Sequence, residues 1–204
     1  MPIGGAGEPM ILLGLGSNVG GPWGSPGATL RRALSELESA DIAVAAVSRL
    51  YLTAPFGRTD QPAFVNAVAA VRSHLPPPAL LERCHRIERA AGRIRRQRWG
   101  PRTLDIDLLD YRGRIATNAG MVRSDLARPL PLSLPHPGIA ERAFVLVPLD
   151  EIAPFWHHPV TGATARQLLL RLGHRIADPI ISCEDGKDDR ARNSSGNRPF
   201  IFRC

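Results

Sequence analysis

Two aspartates that directly follow a run of arginines are the residues of this chain best suited to chemistry. Residues 93–102 contain five arginines and a tryptophan, and they lead into the sequence TLDIDLL. Side chains alternate between the two faces of a strand. Asp105 and Asp107 should therefore share one face, while Leu104 and Ile106 point into the core.

Two carboxylates roughly 7 Å apart on one strand face repel each other unless a cation lies between them. Mg²⁺ is typically held by one or two carboxylates together with substrate phosphates, and guanidinium groups match phosphate oxygens in a bidentate manner. The stretch therefore predicts a polyphosphate site and phosphoryl transfer. The alternative is a solvated basic loop beside an ordinary polar strand face.

The composition predicts one main soluble domain and excludes several enzyme classes. The chain has 204 residues, 44% hydrophobic and 22% charged, with a net charge of +7. Of its 26 basic residues only Lys187 is a lysine. A P-loop, a protein-kinase active site and a Schiff-base lysine in the folded part are therefore excluded, because each requires a lysine.

The same arginine excess leaves two rival functions open, since basic surfaces attract nucleic acids. One rival is an Mg²⁺-dependent nuclease that uses Asp105 and Asp107, and the other is an arginine-rich RNA-binding module. Cys84, Cys183 and Cys204 lie far apart without a disulfide or zinc pattern, which fits a reducing cytoplasm. No secretory signal or transmembrane segment is expected, nor any membrane partner.

Hydrophobic periodicity predicts an alternation of strands and helices. Residues 1–9 are expected to be a disordered extension, 10–182 the folded domain, and 183–204 a disordered tail. Gly14, Gly16 and Gly20 are interpreted as a structural turn, because their spacing is not that of a dinucleotide-binding motif. Strands are predicted at 10–15, 42–51, 64–71, 103–109 and 144–149, and helices at 29–37, 79–91 and 164–172.

Three further groups of residues are candidates for ligand contacts. A loop and strand carrying Thr53, Phe56, Phe64 and Asn66 offer flat apolar faces beside amide groups, which suits a planar heterocycle; a plain hairpin with core aromatics is the alternative. His85 and Glu88 lie one helical turn apart just before the arginine run. His136, between two prolines, is followed six residues later by Arg142, a pair able to reach phosphate.

Four motifs together resemble one known family, the 6-hydroxymethyl-7,8-dihydropterin pyrophosphokinases of folate biosynthesis. They are GSN at 16–18, DQPAFVNAV at 60–68, RWGPRTLDIDLL at 98–109 and LPHPGIAERAFVLVPLDEIAP at 134–154. The resemblance covers roughly residues 10–173. The chain differs from the family at His85, where glutamine is common, and at Pro137, where tyrosine can occur. Its arginine loop, within residues 93–102, is also one residue shorter than in some members.

The resemblance implies an α+β fold, a ferredoxin-like antiparallel sheet with helices packed on its faces in three layers. It implies a monomer that transfers pyrophosphate from ATP to the pterin hydroxymethyl group with two Mg²⁺ ions, and no nucleic-acid partner. The implied catalytic residues are Arg93, Arg95, Asp105 and Asp107, the two aspartates being the metal ligands. The implied nucleotide contacts are His85, Glu88, Arg95, Arg102, His136 and Arg142. The implied pterin contacts are Thr53, Pro55, Phe56, Phe64, Asn66, Trp99 and Phe144.

Overall fold

The computed structural model describes residues 10–55, 60–94, 100–116, 121–122, 130–173 and 180–184. Its strands are β1 Ile11–Ser17, β2 Ile42–Val47, β3 Leu50–Thr53, β4 Phe64–Ser73, β5 Asp105–Tyr111, β6 Met121–Val122, β7 Leu130–Pro131 and β8 Ile180–Glu184. Its α-helices are α1 Pro26–Leu37, α2 Pro77–Ala90, α3 Ala143–Ile152 and α4 Ala165–Leu172, with a 3-10 turn at Ile139–Glu141.

The main sheet has six antiparallel strands, in the order β5-β1-β4-β3-β8, with β2 also paired to β4. Up to β5 the chain follows the ferredoxin-like order, strand, helix, two strands, helix, strand, except that the second strand is split into β2 and β3. Strand β1 lies between β4 and β5. The residues of β1 are therefore flanked on both sides by the strands that carry the predicted site.

Helices cover both faces of this sheet, and each face has its own hydrophobic core. One core joins the sheet to α1 and α2, through side chains such as Leu34 and Leu80. The other joins it to α3 and α4, through side chains such as Leu146 and Leu168. The α+β fold with three layers, predicted from the sequence, is confirmed.

Local sequence explains where two of the helices begin. Ser25 caps α1, its side chain accepting a hydrogen bond from the Ala28 N–H, and Pro26 occupies the first turn, where no backbone donor is needed. Thr164 and Gln167 form a reciprocal capping box at the start of α4. The helices predicted at 29–37 and 164–172 are thus confirmed, as is the one at 79–91, which begins two residues earlier at Pro77.

Two strand predictions are wrong in part or in whole. Residues 144–149 form most of helix α3 rather than a buried strand; the run FVLVPL is apolar throughout and carries no period that separates the two structures. The strand predicted at 42–51 is broken between β2 and β3 at Ser48. There the Ser48 hydroxyl accepts the Val68 N–H at 3.0 Å, in place of a backbone carbonyl.

Strand β8 was not predicted, and it corrects the expected boundary of the tail. Cys183 and Glu184 pair with Tyr51 and Leu50 of β3, so these two residues belong to the sheet rather than to a disordered segment. The predicted extension at 1–9 and the remainder of the tail at 185–204 lie outside the described residues. In the described part of the chain, no helix combines the length and the apolar composition needed to span a bilayer.

Candidate active site

A cleft of about 540 Å³ is lined by residues of the main sheet, of α2 and of α3. Strands β1, β4 and β5 form its floor, and the segment from Leu132 to Val145 forms one wall. Most of the predicted site residues within the described part of the chain line this cleft. They are Thr53, Phe64, Asn66, His85, Glu88, Arg93, Arg102, Asp105, Asp107, His136, Arg142 and Phe144.

The predicted residues that remain fall into two groups. Phe56, Arg95 and Trp99 lie outside the described residues, so their assigned roles stay predictions. Pro55 is described, but it is not among the residues that line the cleft; its neighbour Ala54 is.

Glycines in β1 keep the floor of the cleft open. Gly16 pairs with Asn66 on one side and Asp105 on the other, and Gly14 pairs with Asp107. A Cβ atom on Gly16 would lie 2.9 Å from the Asn66 side-chain oxygen, closer than real contacts allow. The interpretation of Gly14 and Gly16 as a turn is therefore wrong, since both lie within a strand whose neighbours approach closely.

Three aspartates lie in β5, and only two of them face the cleft. Asp105 and Asp107 line it, as the alternation predicts. A register shift opposite Leu12 and Leu13 inserts an extra residue in β5. Asp110 is consequently buried, where it accepts hydrogen bonds from the Trp156 indole N–H at 2.6 Å and the Gly113 N–H at 2.8 Å.

Asp105 is held in its ionised form by two guanidinium groups. Arg93 Nη1 contacts its Oδ1 atom, and Arg102 Nη1 contacts its Oδ2 atom. Burial opposes ionisation of this carboxyl, but the two guanidinium groups outweigh burial and lower its pKa.

Asp107 has the opposite electrostatic environment. Partial removal from water inside the cleft, and then the nearby Asp105 carboxylate, raise the pKa of Asp107 to about 7. Its side chain keeps 42% of its surface exposed to the open cleft. A cation bound beside Asp107 would favour its ionised form and so lower this pKa.

His136 lies beside Asp107 as a neutral donor. Its backbone N–H donates to the Leu109 carbonyl of β5 at 2.8 Å, and its Nδ1 atom accepts from the Gly138 N–H at 3.0 Å. The proton of the neutral ring is therefore on Nε2, which lies 4.0 Å from Asp107 Oδ2. Burial and then the Arg142 charge lower the pKa of His136 to about 4.

The end of helix α2 positions Arg93. Gly92 adopts a φ of +79°, and the N–H groups of Gly92 and Arg93 donate to the carbonyls of Arg89 and Glu88 at 2.9 and 3.0 Å. These bonds form a Schellman motif, which fixes the residue after the glycine. The guanidinium of Arg93 then contacts the carboxylate of Glu88 as well as Asp105.

Asn18 positions Arg102 in the same way from the other side of the arginine loop. Its N–H donates to the Arg102 carbonyl at 3.1 Å, and its side-chain oxygen accepts the Arg102 N–H at 2.8 Å. Its amide NH₂ donates to Gln61 Oε1 and the Pro62 carbonyl, both at 3.1 Å. Sequence reasoning had assigned Asn18 no role, although it belongs to the GSN motif.

The cleft has two ends of different character. The charged end consists of Glu88, Arg93, Arg102, Asp105 and Asp107. The neutral end consists of Thr53, Phe64, Asn66 and Phe144. There the Asn66 amide donates to the Thr53 hydroxyl at 2.7 Å; both side chains are buried, and Arg142 lies 5.8 Å from the centre of the Phe144 ring.

The charged end suits a cation shared with phosphates better than a metal held by protein alone. Among the described residues, no group of three or more His, Cys, Asp or Glu side chains could enclose a metal. Two carboxylates on one strand face beside arginines are instead the set that Mg²⁺ takes together with substrate phosphates. Asp105 and Asp107 therefore fit Mg²⁺.

Comparisons with known proteins show the family of this chain. Residues 12–154 match the model for 7,8-dihydro-6-hydroxymethylpterin-pyrophosphokinase. The chain is 44% identical over 161 residues to the 2-amino-4-hydroxy-6-hydroxymethyldihydropteridine pyrophosphokinase of Methylorubrum extorquens, covering 78% of this chain and 91% of the relative. It is 41% identical over 170 residues to the enzyme of the same name from Synechocystis, covering 83% and 79%.

Solved structures agree on the fold. A crystal structure of HPPK-DHPS in complex with substrates superposes with a TM-score of 0.61 at 13% identity, covering 87% of this chain and 49% of that one. This chain thus spans about half the length of the solved protein. The family match and the two relatives show that the chain belongs to the 7,8-dihydro-6-hydroxymethylpterin pyrophosphokinase family.

Proposed function

We propose that the chain transfers pyrophosphate from ATP to the hydroxymethyl group of 6-hydroxymethyl-7,8-dihydropterin. The main support for this proposal is that a charged end and a neutral end lie in one cleft. The charged end suits a triphosphate, and the neutral end suits a flat heterocycle with amide-like edges. A nucleotide phosphate and an acceptor hydroxyl bound at these ends would meet above β5.

At the charged end, Arg93 and Arg102 bind phosphate oxygens, with Arg142 and His136 contacting the nucleotide from the opposite wall. His136 serves as a hydrogen-bond donor there, because its pKa of about 4 keeps the ring neutral near pH 7. His85 and Glu88, on α2, form the remaining nucleotide contacts within the described residues. Arg95 is assigned to the same phosphates from the sequence resemblance.

Asp105 and Asp107 hold Mg²⁺ in this proposal. An ion held there would supply charge neutralisation at the phosphates and would lower the pKa of the acceptor hydroxyl. Two ions are expected from the resemblance, and the two carboxylates would share them with the triphosphate.

At the neutral end, Asn66 and Thr53 bind the polar edge of the pterin, while Phe64 and Phe144 pack against its faces. The Asn66 amide already donates to the Thr53 hydroxyl, so the side chain is oriented before substrate arrives. Pro55, Phe56 and Trp99 complete the pterin contacts by sequence resemblance.

The described residues act by orientation and charge stabilisation. Phosphoryl transfer requires little covalent chemistry from the protein, so positioning of the hydroxyl in line with the β-phosphorus supplies much of the rate. The arginines stabilise the charge that develops on the leaving AMP.

The test is product identification after incubation with ATP, Mg²⁺ and the hydroxymethyldihydropterin. We expect AMP and the pterin diphosphate in equal amounts. ADP with a pterin monophosphate would contradict the proposal, because it places the attack on the γ-phosphorus. The nuclease and RNA-binding alternatives are tested by filter binding at physiological salt, where they require strong, salt-sensitive affinity and the pyrophosphokinase requires little.

A further inference from the structure

The carboxylate of Asp105 already has a cationic partner on each oxygen. Arg93 Nη1 contacts Oδ1 and Arg102 Nη1 contacts Oδ2. A cation that binds Asp105 would have to share these oxygens with two positive charges. At contact distance, the repulsion between the bound cation and the two guanidinium groups is large compared with thermal energy, even at an intermediate dielectric constant.

Backbone hydrogen bonds fix the positions of Arg93 and Arg102, the two arginines that form ion pairs with Asp105. Arg93 follows the Schellman motif that ends α2, and Arg102 is held by the two backbone-directed bonds of Asn18. The two arginines flank the loop in sequence, and one carboxylate joins them. Asp105 therefore links Arg93 to Arg102, in addition to being a candidate metal ligand.

Glu88 gives one of the two arginines a second partner. This carboxylate is only 2% exposed, accepts the Ile106 N–H at 2.8 Å and contacts Arg93 Nη1. If Arg93 leaves Asp105, it still has Glu88 as a counterion. Glu88 thus keeps Arg93 at the cleft, which both residues line.

We propose that Arg93 and Arg102 act as internal counterions that block divalent metal binding at Asp105 until a triphosphate draws the two guanidinium groups away. This inference rests on the proposed function, since it takes Asp105 as a metal ligand and a nucleotide as the ligand of the arginines. Phosphate oxygens are strong bidentate partners for arginine, so the exchange conserves charge pairing. Nucleotide and metal then increase each other's affinity by the same factor.

The proposal is tested by measuring metal affinity in the absence of nucleotide. The free Mn²⁺ signal in electron paramagnetic resonance gives the affinity of the enzyme alone and with a non-hydrolysable ATP analogue. Arg102→Gln removes one internal counterion, and Arg93→Gln is the second variant. Arg89→Gln is the matched control, because Arg89 pairs with Glu82 and does not line the cleft.

In the absence of nucleotide, Arg102→Gln should bind Mn²⁺ about tenfold or more tightly than the wild type, whereas Arg89→Gln should not. Adding Asp105→Asn to Arg102→Gln should abolish the gain. The ATP analogue should enhance Mn²⁺ binding less in Arg102→Gln than in the wild type, because the Arg102 part of the coupling is gone, while the Arg93 part and the direct phosphate contact to the metal remain.

Unchanged nucleotide-free Mn²⁺ affinity in both Arg102→Gln and Arg93→Gln, with native circular dichroism spectra, would overturn the inference. So would a gain that persists after Asp105→Asn. These outcomes are independent of the proposed reaction, which is judged by whether AMP and a pterin diphosphate form. A wild type that makes both products but shows no arginine effect on Mn²⁺ refutes the counterion device alone.

Discussion

The charged and neutral ends of the cleft are organised in opposite ways. At the neutral end, Asn66 and Thr53 lie on paired strands and bond to each other at 2.7 Å. At the charged end, Arg93 and Arg102 come from the two sides of a loop and reach Asp105 through their side chains. One end is fixed by the sheet, and the other by exchangeable ion pairs.

Ligand binding should therefore require little rearrangement at the neutral end and an exchange of ion pairs at the charged end. A heterocycle that enters the neutral end meets groups that are already oriented, so little conformational entropy is lost on binding. A triphosphate and its metal must exchange partners with arginines and carboxylates that are already paired. Substitutions at the two ends should consequently affect different quantities.

The largest effect is expected at the charged end. Asp107→Asn should lower kcat/KM by about 10³-fold, because the variant loses a metal ligand, while thermal unfolding stays near that of the wild type. Asp105→Asn should lose as much activity and also about 1–3 kcal/mol of stability, since two guanidinium groups lose this carboxylate as a partner, although Arg93 keeps Glu88. Steady-state kinetics and thermal melts measure both. Near-normal turnover of either variant at saturating Mg²⁺ would remove the carboxylates from the mechanism.

The next effect distinguishes the neutral end. Asn66→Ala should weaken pterin binding by about 1–3 kcal/mol, because it leaves polar groups of the ligand and the Thr53 hydroxyl without a partner. Affinity for ATP should hardly change, which isothermal titration with each ligand would show. A parallel loss of ATP affinity would mean that Asn66 supports the whole cleft, and the contrast between the two ends would not hold.

A smaller effect is expected from strand β8, which pairs with the strand that carries Thr53. A chain that ends at residue 184 should keep the melting temperature and the pterin affinity of the full chain. A chain that ends at residue 173 lacks β8 and leaves β3 at the edge of the sheet, so its pterin affinity should fall several-fold with little change for ATP. Equal pterin affinity in both chains would show that β3 needs no partner on this side.

The smallest effect concerns His136, a neutral group near the charged end. Burial and the Arg142 charge lower its pKa from the usual 6.5 to about 4, so its ring should not gain a proton between pH 5.5 and 8. The imidazole resonances in NMR spectra, assigned with a His136→Gln variant, should be flat over this range and move only below it. A midpoint near 6.5 would instead make His136 a cation when it meets phosphate at slightly acid pH.

Hydrophobic periodicity alone predicts many of the helices and strands of this molecule. Alternation predicts Asp105 and Asp107 on one face of β5, and helical periodicity predicts α2, whose Leu80, Cys84 and Ile87 are buried, because both patterns are local. Helix α3 was missed for a local reason as well. Its apolar run is buried between the sheet and α4, so no polar face marks the helical period.

Other features depend on contacts between distant parts of the chain. Strand β8 exists through its pairing with β3, and nothing within its five residues predicts that partner. Gly14 and Gly16 looked like turn residues because their strand neighbours, on β4 and β5, were unknown. The role of Asn18 follows from bonds to Arg102, 84 positions away, a relation that one sequence does not display.

Asn18 also has a consequence for how substitutions combine. It joins the backbone at Arg102, beside the charged end, to Gln61 and Pro62, on the chain that leads into Phe64 at the neutral end. The Asn18 side chain therefore connects the two halves of the cleft, in addition to strand β1, which pairs with β4 and with β5. In double-mutant cycles, a change at Asn18 should be non-additive with changes at either end, even though changes confined to opposite ends simply add.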